Sequence, residues 1–369
     1  MSVRTVQVGE VCEFVYGNSL KAECRRPGKV PVFGSNGIVG WHDQAITSGP
    51  TIVIGRKGSI GEINWSNEPC FPIDTTYFVE KTKKPCDLRW LYFTLLKLDL
   101  TRFNKSAAIP GLNREDAYEQ RIPWPDLSNQ KRIAGRLEQV GRLRRTRNYA
   151  LELSDGFLPA AFLAVFGDPK ENPKKWPNQY LSDVCLRFSD GPFGSNLKSE
   201  HYRPSGVRVI RLNNIGIGEF LDGNQAFISV EHFGTLRKHE CLPGDVLIGT
   251  LGDPNLRACI QPVEIKVALN KADCVQARTD PKKANAEYLC GLLNMPSTLN
   301  LVPGMIHGQT RARVSMGELA ELPIPIPPLP LQQHFAAVVE RHKRMRARQR
   351  EALRQADHLF ESLLDRAFR

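Results

Sequence analysis

Ile122-Pro123-Trp124-Pro125-Asp126-Leu127-Ser128-Asn129-Gln130 returns near the end of the chain as Ile324-Pro325-Ile326-Pro327-Pro328-Leu329-Pro330-Leu331-Gln332. The two stretches are 202 residues apart, and the match continues without a gap to Phe166 over Phe368. It contains 13 identities in 46 positions. Solenoid repeats are about 20–50 residues long, so a repeat at this spacing instead indicates two copies of a globular domain with its connecting segment.

Each copy starts with prolines and then continues for about 38 residues without a turn cluster, which predicts a long helix. Apolar residues recur at spacings of four and three, and Arg144 and Arg346 fall on the same seam. This pattern is typical of a coiled coil with a polar middle, and we expect the two helices to lie antiparallel. Gly156 and Pro159 predict a break in the first helix only, because the second copy has His358 and Glu361 there.

The segments ahead of the two helices are rich in β-branched residues, glycine and turn signals, as in a mixed α/β domain. Fainter matches link these segments in the same order along the chain. They pair residues 8–12 with 181–185, residues 51–58 with 245–252, and residues 90–92 with 288–290. The fold class is therefore α/β (α+β), with two similar domains, two long helices and a pseudo-two-fold arrangement. The differing loops predict that the two domains bind different things.

Composition excludes several classes of protein. A chain of 369 residues is long enough for two domains that each bury a core. The nine cysteines are scattered, with no Cys-x-x-Cys pair and no Cys/His cluster at metal-ligand spacing. They predict reduced thiols, a cytoplasmic location and no bound metal. The N-terminus lacks an apolar signal core, and no apolar run approaches the roughly 18 residues that would span a membrane.

The net charge of +11 favours a polyanionic partner. Residues 129–168 contribute +3 of this charge and residues 332–369 contribute +4, so most of the excess lies on the repeated helices. A solvated helix face explains such a pattern as well as phosphate contact or a protein interface does.

Taken together, these motifs resemble the DNA specificity subunits of type I restriction-modification systems. The most specific are the paired Ile-Pro-x-Pro-x-Leu-x-x-Gln segments and Ala164 to Asp168; Val32 to Gly40, Ile54 to Ser59 and Gly191 to Lys198 add to them. Asp126 and Asn129 depart from the family pattern. The resemblance implies target-recognition domains at 1–120 and 169–322, and conserved helical regions at 121–168 and 323–369.

The specificity subunits of that family catalyse no reaction themselves, so the resemblance implies that this chain is not an enzyme. The resemblance implies double-stranded DNA, two methyltransferase subunits and restriction subunits as partners, with S-adenosylmethionine, ATP and Mg²⁺ on those partners and no cofactor in this chain. The sequence also lacks a phosphate-binding P-loop, a G-x-G-x-x-G motif and an adenine-methyltransferase Asn/Asp-Pro-Pro-Tyr/Phe segment. We expect the partner subunits to dock near Arg142, Arg144, Arg344 and Arg346.

Base reading needs hydrogen-bonding side chains on loops that approach DNA closely. The candidates in the first domain are Ser35, Asn36, His42, Arg56, Lys57, Ser59, Asn104, Lys105 and Ser106. In the second domain they are Ser195, Asn196, Lys198, Arg211, Asn213, Asn214, Thr250, Asn255, Arg257, His307, Gln309, Thr310 and Arg311. A turn role or a phosphate contact is the alternative for each. Trp41 and Trp65 are expected in the core.

Two different domains on similar helices predict an asymmetric bipartite target, whose half-sites lie about one helical turn of DNA apart, roughly 34–36 Å. Two other classes of function stay open. One is a self-contained nuclease or methyltransferase, since Asp253 with Glu264-Ile265-Lys266 mimics an acidic nuclease pattern, although these residues also suit a turn and a strand edge. The other is a coiled-coil scaffold that does not bind nucleic acid.

Overall fold

The computed structural model describes residues 4–103, 111–252, 254, 256–302 and 313–368. The chain divides into two compact units, Met1–Tyr149 with Arg350–Arg369, and Ala150–Gln349. The boundary falls inside each of the two long helices, so each unit contains one sheet domain and parts of both helices.

The first unit is built around a four-stranded antiparallel sheet in the order β2-β8-β5-β6, with β4-β3-β7 and β1-β9 as smaller sheets. Its strands are β1 (Thr5–Gln7), β2 (Val15–Tyr16), β3 (Val30–Gly34), β4 (Gly37–His42), β5 (Thr51–Gly55), β6 (Ile63–Ser66), β7 (Phe71–Pro72), β8 (Thr76–Val79) and β9 (Arg121–Pro123). Its helices are α1 (Val8–Val11), α2 (Leu88–Leu98), α3 (Arg114–Tyr118) and the start of α4 (Leu127–Asp155).

The second unit repeats this plan, with a four-stranded antiparallel sheet β11-β19-β16-β17 and a terminal pair β10-β20. Its strands are β10 (Asn178–Tyr180), β11 (Cys185–Asp190), β12 (Tyr202–Arg203), β13 (Val207–Ile210), β14 (Phe227–Ile228), β15 (Glu240–Cys241), β16 (Val246–Gly249), β17 (Ala258–Ile260), β18 (Ala268–Asn270), β19 (Cys274–Thr279) and β20 (Pro323–Pro325). Its helices are α5 (Phe157–Phe166), α6 (Val230–Thr235), α7 (Ala286–Leu293), α8 (Met316–Ala320) and the start of α9 (Leu329–Ala367).

The internal matches seen in the sequence fall on corresponding elements. Residues 51–55 form β5 and residues 246–249 form β16, at equivalent places in the two main sheets. Residues 90–92 lie in α2 and residues 288–290 lie in α7. The units differ in the second sheet, which has three strands in the first unit and β12-β14-β13-β18-β15 in the second. The mixed α/β fold and its duplication are confirmed, and the divergence lies in this added sheet and in the loops.

Within each unit the long helices pack antiparallel around aromatic side chains. In the first unit Phe93 and Leu137 form a cluster with Phe360. In the second unit Phe162 lies edge-on to Phe335, with 5.5 Å between ring centroids. The predicted difference in straightness is also confirmed, because α4 ends at Asp155 while α9 continues for 39 residues.

A histidine satisfies the backbone at the break between α4 and α5. His342 is 4% exposed, its Nε2 donates to the Ser154 carbonyl at 3.1 Å, and its ring stacks on Phe157 at 5.1 Å. Burial lowers the pKa of His342, as does the nearby Arg346, while the Ser154 hydrogen bond acts in the opposite direction. The repeat-related residues of the first unit are Val140 and Ala356, where the helix needs no such partner.

The repeated glutamine explains why the Ile-Pro segment is kept. Gln130 accepts the backbone N–H of Asp87, the residue that caps α2, and donates to the carbonyl of Pro125. Gln332 does the same for Asn285, which caps α7, and for Pro327. Both glutamines are at most 1% exposed. A buried amide that satisfies two backbone groups fixes the sheet domain to the long helix in each unit.

A second connection between the sheet domain and the long helix has opposite polarity in the two units. In the first, Arg89 on α2 lies 3.6 Å from Glu138 on α4, and its guanidinium stacks on Trp65. In the second, Glu287 on α7 lies 2.5 Å from Lys343 on α9. Burial lowers the pKa of Arg89 and raises that of Glu287. The same junction is therefore built with the signs of charge exchanged.

Candidate nucleic-acid interface

Three loops meet at one end of the main sheet in each unit. In the first unit Arg56, just after β5, receives the N–H of Leu112 on its carbonyl at 2.9 Å and donates its own N–H to Thr75 at 2.9 Å. In the second unit the carbonyl of Thr250 accepts the N–H of Val314, and the N–H of Thr250 donates to the carbonyl of Asp273, both at 3.0 Å. These bonds place the loop after the central strand beside Leu112 in the first unit and beside Val314 in the second. Equivalent sheet ends therefore carry the candidate loops in both units.

Ser35 anchors the β3–β4 turn of the first unit to this cluster of loops. Its hydroxyl oxygen lies within hydrogen-bond distance of the carbonyl of Thr75, at 2.8 Å, and of that of Lys57, so its single proton is shared between them; the residue is 9% exposed. Asn36 and Lys57 are exposed beside it. The serine thus holds the loops together, while the neighbouring amide and ammonium groups are free to face a ligand.

In the second unit, two histidines whose rings are in contact fix the loop that carries Asn196 and Lys198. The ring centroids of His201 and His232 are 4.1 Å apart. His201 Nδ1 accepts the N–H of Lys198 at 3.0 Å, and His232 Nε2 donates to the carbonyl of Asn196 at 2.9 Å. Both loop side chains are exposed, as is Asn213. The structure does not describe the side chain of Ser195.

Several predicted base readers are instead occupied inside the domains. Asn214 is fully buried and donates to the carbonyls of Leu221 and Asn224. His42 is 5% exposed and accepts a backbone N–H through Nδ1. Thr250 is 2% exposed, and Arg257 donates to four backbone carbonyls. These side chains shape the loops because their hydrogen-bonding groups are already used.

Two further candidates lie nearer the surface, with only part of their polar groups engaged. Arg211 donates through Nη2 to Asn224, and Ser59 is half-buried. The remaining candidates, Asn104, Lys105, Ser106, Asn255, His307, Gln309, Thr310 and Arg311, lie outside the described residues.

The sequence did not single out several exposed groups at these sheet ends. Tyr16 is 47% exposed and lies near Arg56 and Arg114. In the second unit Arg313 lies 5.4 Å from the ring of Phe193 and pairs with Asp273 at 3.0 Å. The signal that could have pointed to Arg114 and Arg313 is that each is a basic residue just after a loop predicted to bind DNA.

Trp41 was expected in the core, but it is 55% exposed on β4, beside exposed Ile38 and Val39. Trp65 is partly buried and packs against the core, as expected. The pattern around Trp41 gave little indication of its side, because β4 is a short edge strand whose residues are mostly exposed or half-buried.

The four helix arginines form two equivalent pairs with different environments. Arg144 bonds Asp357 at 2.6 Å in the first unit, and Arg346 bonds Asp155 in the second. These two ion pairs are related by the 202-residue repeat and connect α4 with α9. The side chain of Arg142 is 72% exposed, and Arg344 is also exposed. Arg142 also lies 3.7 Å from Glu138 on its own helix, but Arg142 and Arg344 are exposed and are therefore better placed to meet another protein than Arg144 and Arg346 are.

By length and composition, one 18-residue window between Leu127 and Phe166 is apolar enough to cross a membrane, although no uninterrupted apolar run in it reaches that length. Only 17% of that window is buried. Leu153 is 63% exposed and Phe157 is 47% exposed, four residues apart. Length and composition do not distinguish a membrane span from a helix that docks on a protein, and Gly156 interrupts this one.

Among the residues that the structure describes, no group of three or more His, Cys, Asp or Glu side chains is placed to hold a metal ion. Of the acidic pattern noted in the sequence, Asp253 lies outside the described residues and Glu264 lies in an exposed turn. The described part of the pattern therefore gives no geometric support to a nuclease centre.

Comparison with known proteins finds similarity in sequence over part of the chain and in fold over the whole chain. Residues 2–153 match the family model for the type I restriction modification DNA specificity domain. The type I restriction enzyme MjaVIII specificity subunit of Methanocaldococcus jannaschii is 22% identical over 211 residues, or 53% of this chain. That match spans 46% of the relative's length, less than half of it.

Two solved structures share the fold over the whole chain. The S subunit of the type I restriction-modification system of M. genitalium superposes with a TM-score of 0.65 at 16% identity, covering 100% of this chain and 96% of that one. A chain from a structure of the type I R-M system, concerned with its assembly and conformational transition, gives 0.62 at 17% identity, covering 100% and 99%. Residues 2–153 therefore resemble a type I restriction modification DNA specificity domain, and the whole chain shares the fold of these two solved structures.

Proposed function

We propose that this protein is the specificity subunit of a type I restriction-modification complex, which binds a defined DNA sequence and positions catalytic subunits on it. The observation that carries the proposal is the pair of sheet domains with one topology and different loops at equivalent ends. A shared scaffold with divergent loops suits recognition of two different ligands of the same kind. The net charge of +11 supports DNA as that ligand.

The target is proposed to be asymmetric and bipartite, with two short specific runs around a gap of unread bases. Asn36 and Lys57 are the exposed candidate readers in the first domain, whereas Asn196, Lys198 and Asn213 are those in the second. Amide side chains suit adenine and ammonium groups suit guanine in the major groove. Because the two sets differ, the two half-sites should differ as well.

Two methyltransferase subunits and, in the full complex, restriction subunits are the proposed protein partners. Exposed Arg142 and Arg344 occupy equivalent positions on α4 and α9, so similar copies of one partner could use them. Exposed Leu153 and Phe157 add apolar surface on the α4–α5 segment. We place S-adenosylmethionine, ATP and Mg²⁺ on these partners, no catalytic role in this chain, and the whole complex in the cytoplasm.

Mapping methylated adenines across the genome, in cells with and without this gene, tests the proposal. We expect one bipartite motif to lose its methylation when the gene is removed. A second strain, in which a different sheet domain replaces residues 5–123, should keep one half-site and change the other. A continuous palindrome, or an unchanged methylation map, would contradict this function.

The alternatives predict different results with purified protein. A self-contained nuclease or methyltransferase would cleave or methylate DNA without added subunits. A scaffold that does not bind nucleic acid would show no salt-dependent DNA affinity, whereas phosphate contacts weaken steeply as salt rises. Activity only after a methyltransferase subunit is added, together with salt-dependent binding, supports the specificity subunit.

The role of the helix arginines has its own test. Arg142→Glu with Arg344→Glu should weaken co-purification of the methyltransferase subunit, because both exposed positions reverse charge. Arg354→Glu is the matched control, since that residue is also exposed on α9 and pairs only with Glu351 among the described residues. Equal loss with both variants would indicate a general charge effect rather than a docking site.

A further inference from the structure

An exposed tyrosine in the first domain lies beside two arginines. The guanidinium carbon of Arg56 lies 5.2 Å from the centre of the Tyr16 ring, and that of Arg114 lies 4.8 Å from it. Tyr77 packs against the same ring, with 5.0 Å between centroids. Both guanidinium groups are within the range of a cation–π contact. The ring therefore orients two positive charges at the loop-bearing end of the sheet.

Contacts with backbone carbonyls hold Arg56, Arg114 and the Tyr77 ring behind Tyr16 in place. Arg56 donates to the carbonyl of Asp74 through Nε at 3.2 Å and Nη2 at 2.6 Å. The hydroxyl of Tyr77 donates to the carbonyl of Leu112 at 3.1 Å, and burial raises the pKa of Tyr77 to about 12, which keeps that donor protonated at neutral pH. Arg114 follows Leu112 by two residues and is the first residue of α3. The site is thus organised before any ligand binds.

Neither arginine is neutralised within the part of the chain that the structure describes. No carboxylate lies within 4.0 Å of Arg56 or Arg114 there, whereas Arg26 in the same domain pairs with Asp43 at 2.9 Å. A guanidinium carries five N–H donors, so each of these two keeps donors that no backbone carbonyl uses. Two cations on one ring repel each other until an anion binds between or beside them.

Among the residues described in the second domain, the positions equivalent to this site carry other side chains. Tyr16 pairs with Tyr77 between β2 and β8, and the corresponding ladder of β11 and β19 puts Asp190 opposite Val275. Thr250 takes the place of Arg56, and the matching Leu112 and Val314 bonds put Met316 in the place of Arg114. An acid, a hydroxyl and a thioether cannot attract an anion as two arginines do. At the equivalent positions that the structure describes, the first domain therefore has this feature and the second does not.

We propose that Tyr16, Arg56 and Arg114 bind a phosphodiester group of the DNA backbone. This inference rests on the proposed DNA-binding function and assigns to these residues positioning rather than base reading. Asp74 takes up the Nε hydrogen and one Nη2 hydrogen of Arg56, which leaves three N–H donors of this guanidinium for phosphate oxygens. The first domain is therefore anchored at a backbone position that the second domain does not use.

Fluorescence anisotropy tests the site by measuring the DNA affinity of the full chain bound to its methyltransferase subunits. The affinities for a target duplex and for a scrambled duplex are compared over a range of salt concentrations. Arg114→Gln should weaken both duplexes by a similar factor, about tenfold at low salt, and reduce the slope of log affinity against log salt by about 0.9. Tyr16→Leu should weaken both duplexes less, and Tyr16→Phe should restore binding because it keeps the ring. Arg26→Gln, at a neutralised arginine, should leave the slope unchanged.

Two results would overturn the site. An unchanged salt slope in both Arg114→Gln and Arg56→Gln would show that no phosphate is bound there. Loss confined to the target duplex would show that the arginines read a base. Both results require wild-type protein that binds DNA, so an absence of wild-type binding would instead reject the proposed function. Thermal unfolding of each variant separates a lost contact from a failure to fold.

Discussion

Lys343→Met tests whether the buried Glu287 depends on its lysine. The two groups are 2.5 Å apart; the side chain of Lys343 is 40% exposed and that of Glu287 is 17% exposed. Removing one partner of a fully buried ion pair costs about 3–5 kcal/mol, and the partial exposure of this pair reduces the expected cost to about 2 kcal/mol. For a unit of this size that corresponds to a melting temperature lower by roughly 4–8 °C. Thermal unfolding followed by circular dichroism measures it.

The pH dependence identifies the unpaired charge as the cause. Burial raises the pKa of Glu287, so the folded state binds this proton more tightly than the unfolded chain, and stability is lost as pH rises through that range. Without Lys343 the pKa of the carboxyl should rise further. The loss of stability in Lys343→Met should therefore be largest near about pH 7.5 and smaller near about pH 5, because the carboxyl of Glu287 becomes protonated as the pH falls.

A second substitution separates charge from packing. Glu287→Gln combined with Lys343→Met removes both charges and should recover most of the lost stability at neutral pH, because no ionised group is left unpaired. Arg354→Met, at an exposed arginine of the same helix, should change the melting temperature by less than about 1 °C. A deficit that is equal at both pH values and is not relieved by the glutamine would refute the reasoning and assign the loss to the lysine stem.

Three further changes test other contacts. Gln332→Ala should lower the free energy of unfolding by about 2–4 kcal/mol, because the backbone N–H of Asn285 loses its acceptor. Chemical denaturation measures this free energy, and a change below about 0.5 kcal/mol would contradict the proposed link. His342→Val should flatten the loss of stability expected as pH falls from about 7 to 5, since a histidine with a lowered pKa opposes protonation on folding; equal pH profiles would contradict this. Arg144→Ala should cost no more than about 1 kcal/mol, because its partner Asp357 is 41% exposed, and a melting curve that shows a much larger loss would indicate a buried pair.

The sequence predicted the duplicated elements because their causes are local or repeated. Gln130 and Gln332 recur at one spacing, and the structure gives both the same pair of backbone contacts. Prolines before the helices and Gly156 with Pro159 act on the backbone within a few residues, so they predict where helices start and break. Features of this kind need no knowledge of the tertiary structure.

The side-chain environment at the sheet ends was harder to predict. Asn214 and Asn196 are the same residue type in polar loops, yet the first is buried among backbone carbonyls and the second is exposed. Tyr16 and Arg114 are far apart in sequence, and only the sheet and α3 bring them together. The polarity of Arg89 and Glu287 has meaning only once the facing helix is known. Residue type alone does not distinguish a group that supports a loop from one that meets a ligand.

The small terminal sheets have a consequence for how such a protein can be altered. Thr5–Gln7 pairs with Arg121–Pro123 in the first unit, and Asn178–Tyr180 pairs with Pro323–Pro325 in the second. Each sheet domain therefore has its incoming and outgoing chain side by side. A segment whose ends meet can be removed or exchanged as a single cassette with little disturbance of what lies outside it. One crossover on either side of such a segment, in a gene exchange or a cloning step, would supply a new binding face while leaving both long helices unchanged.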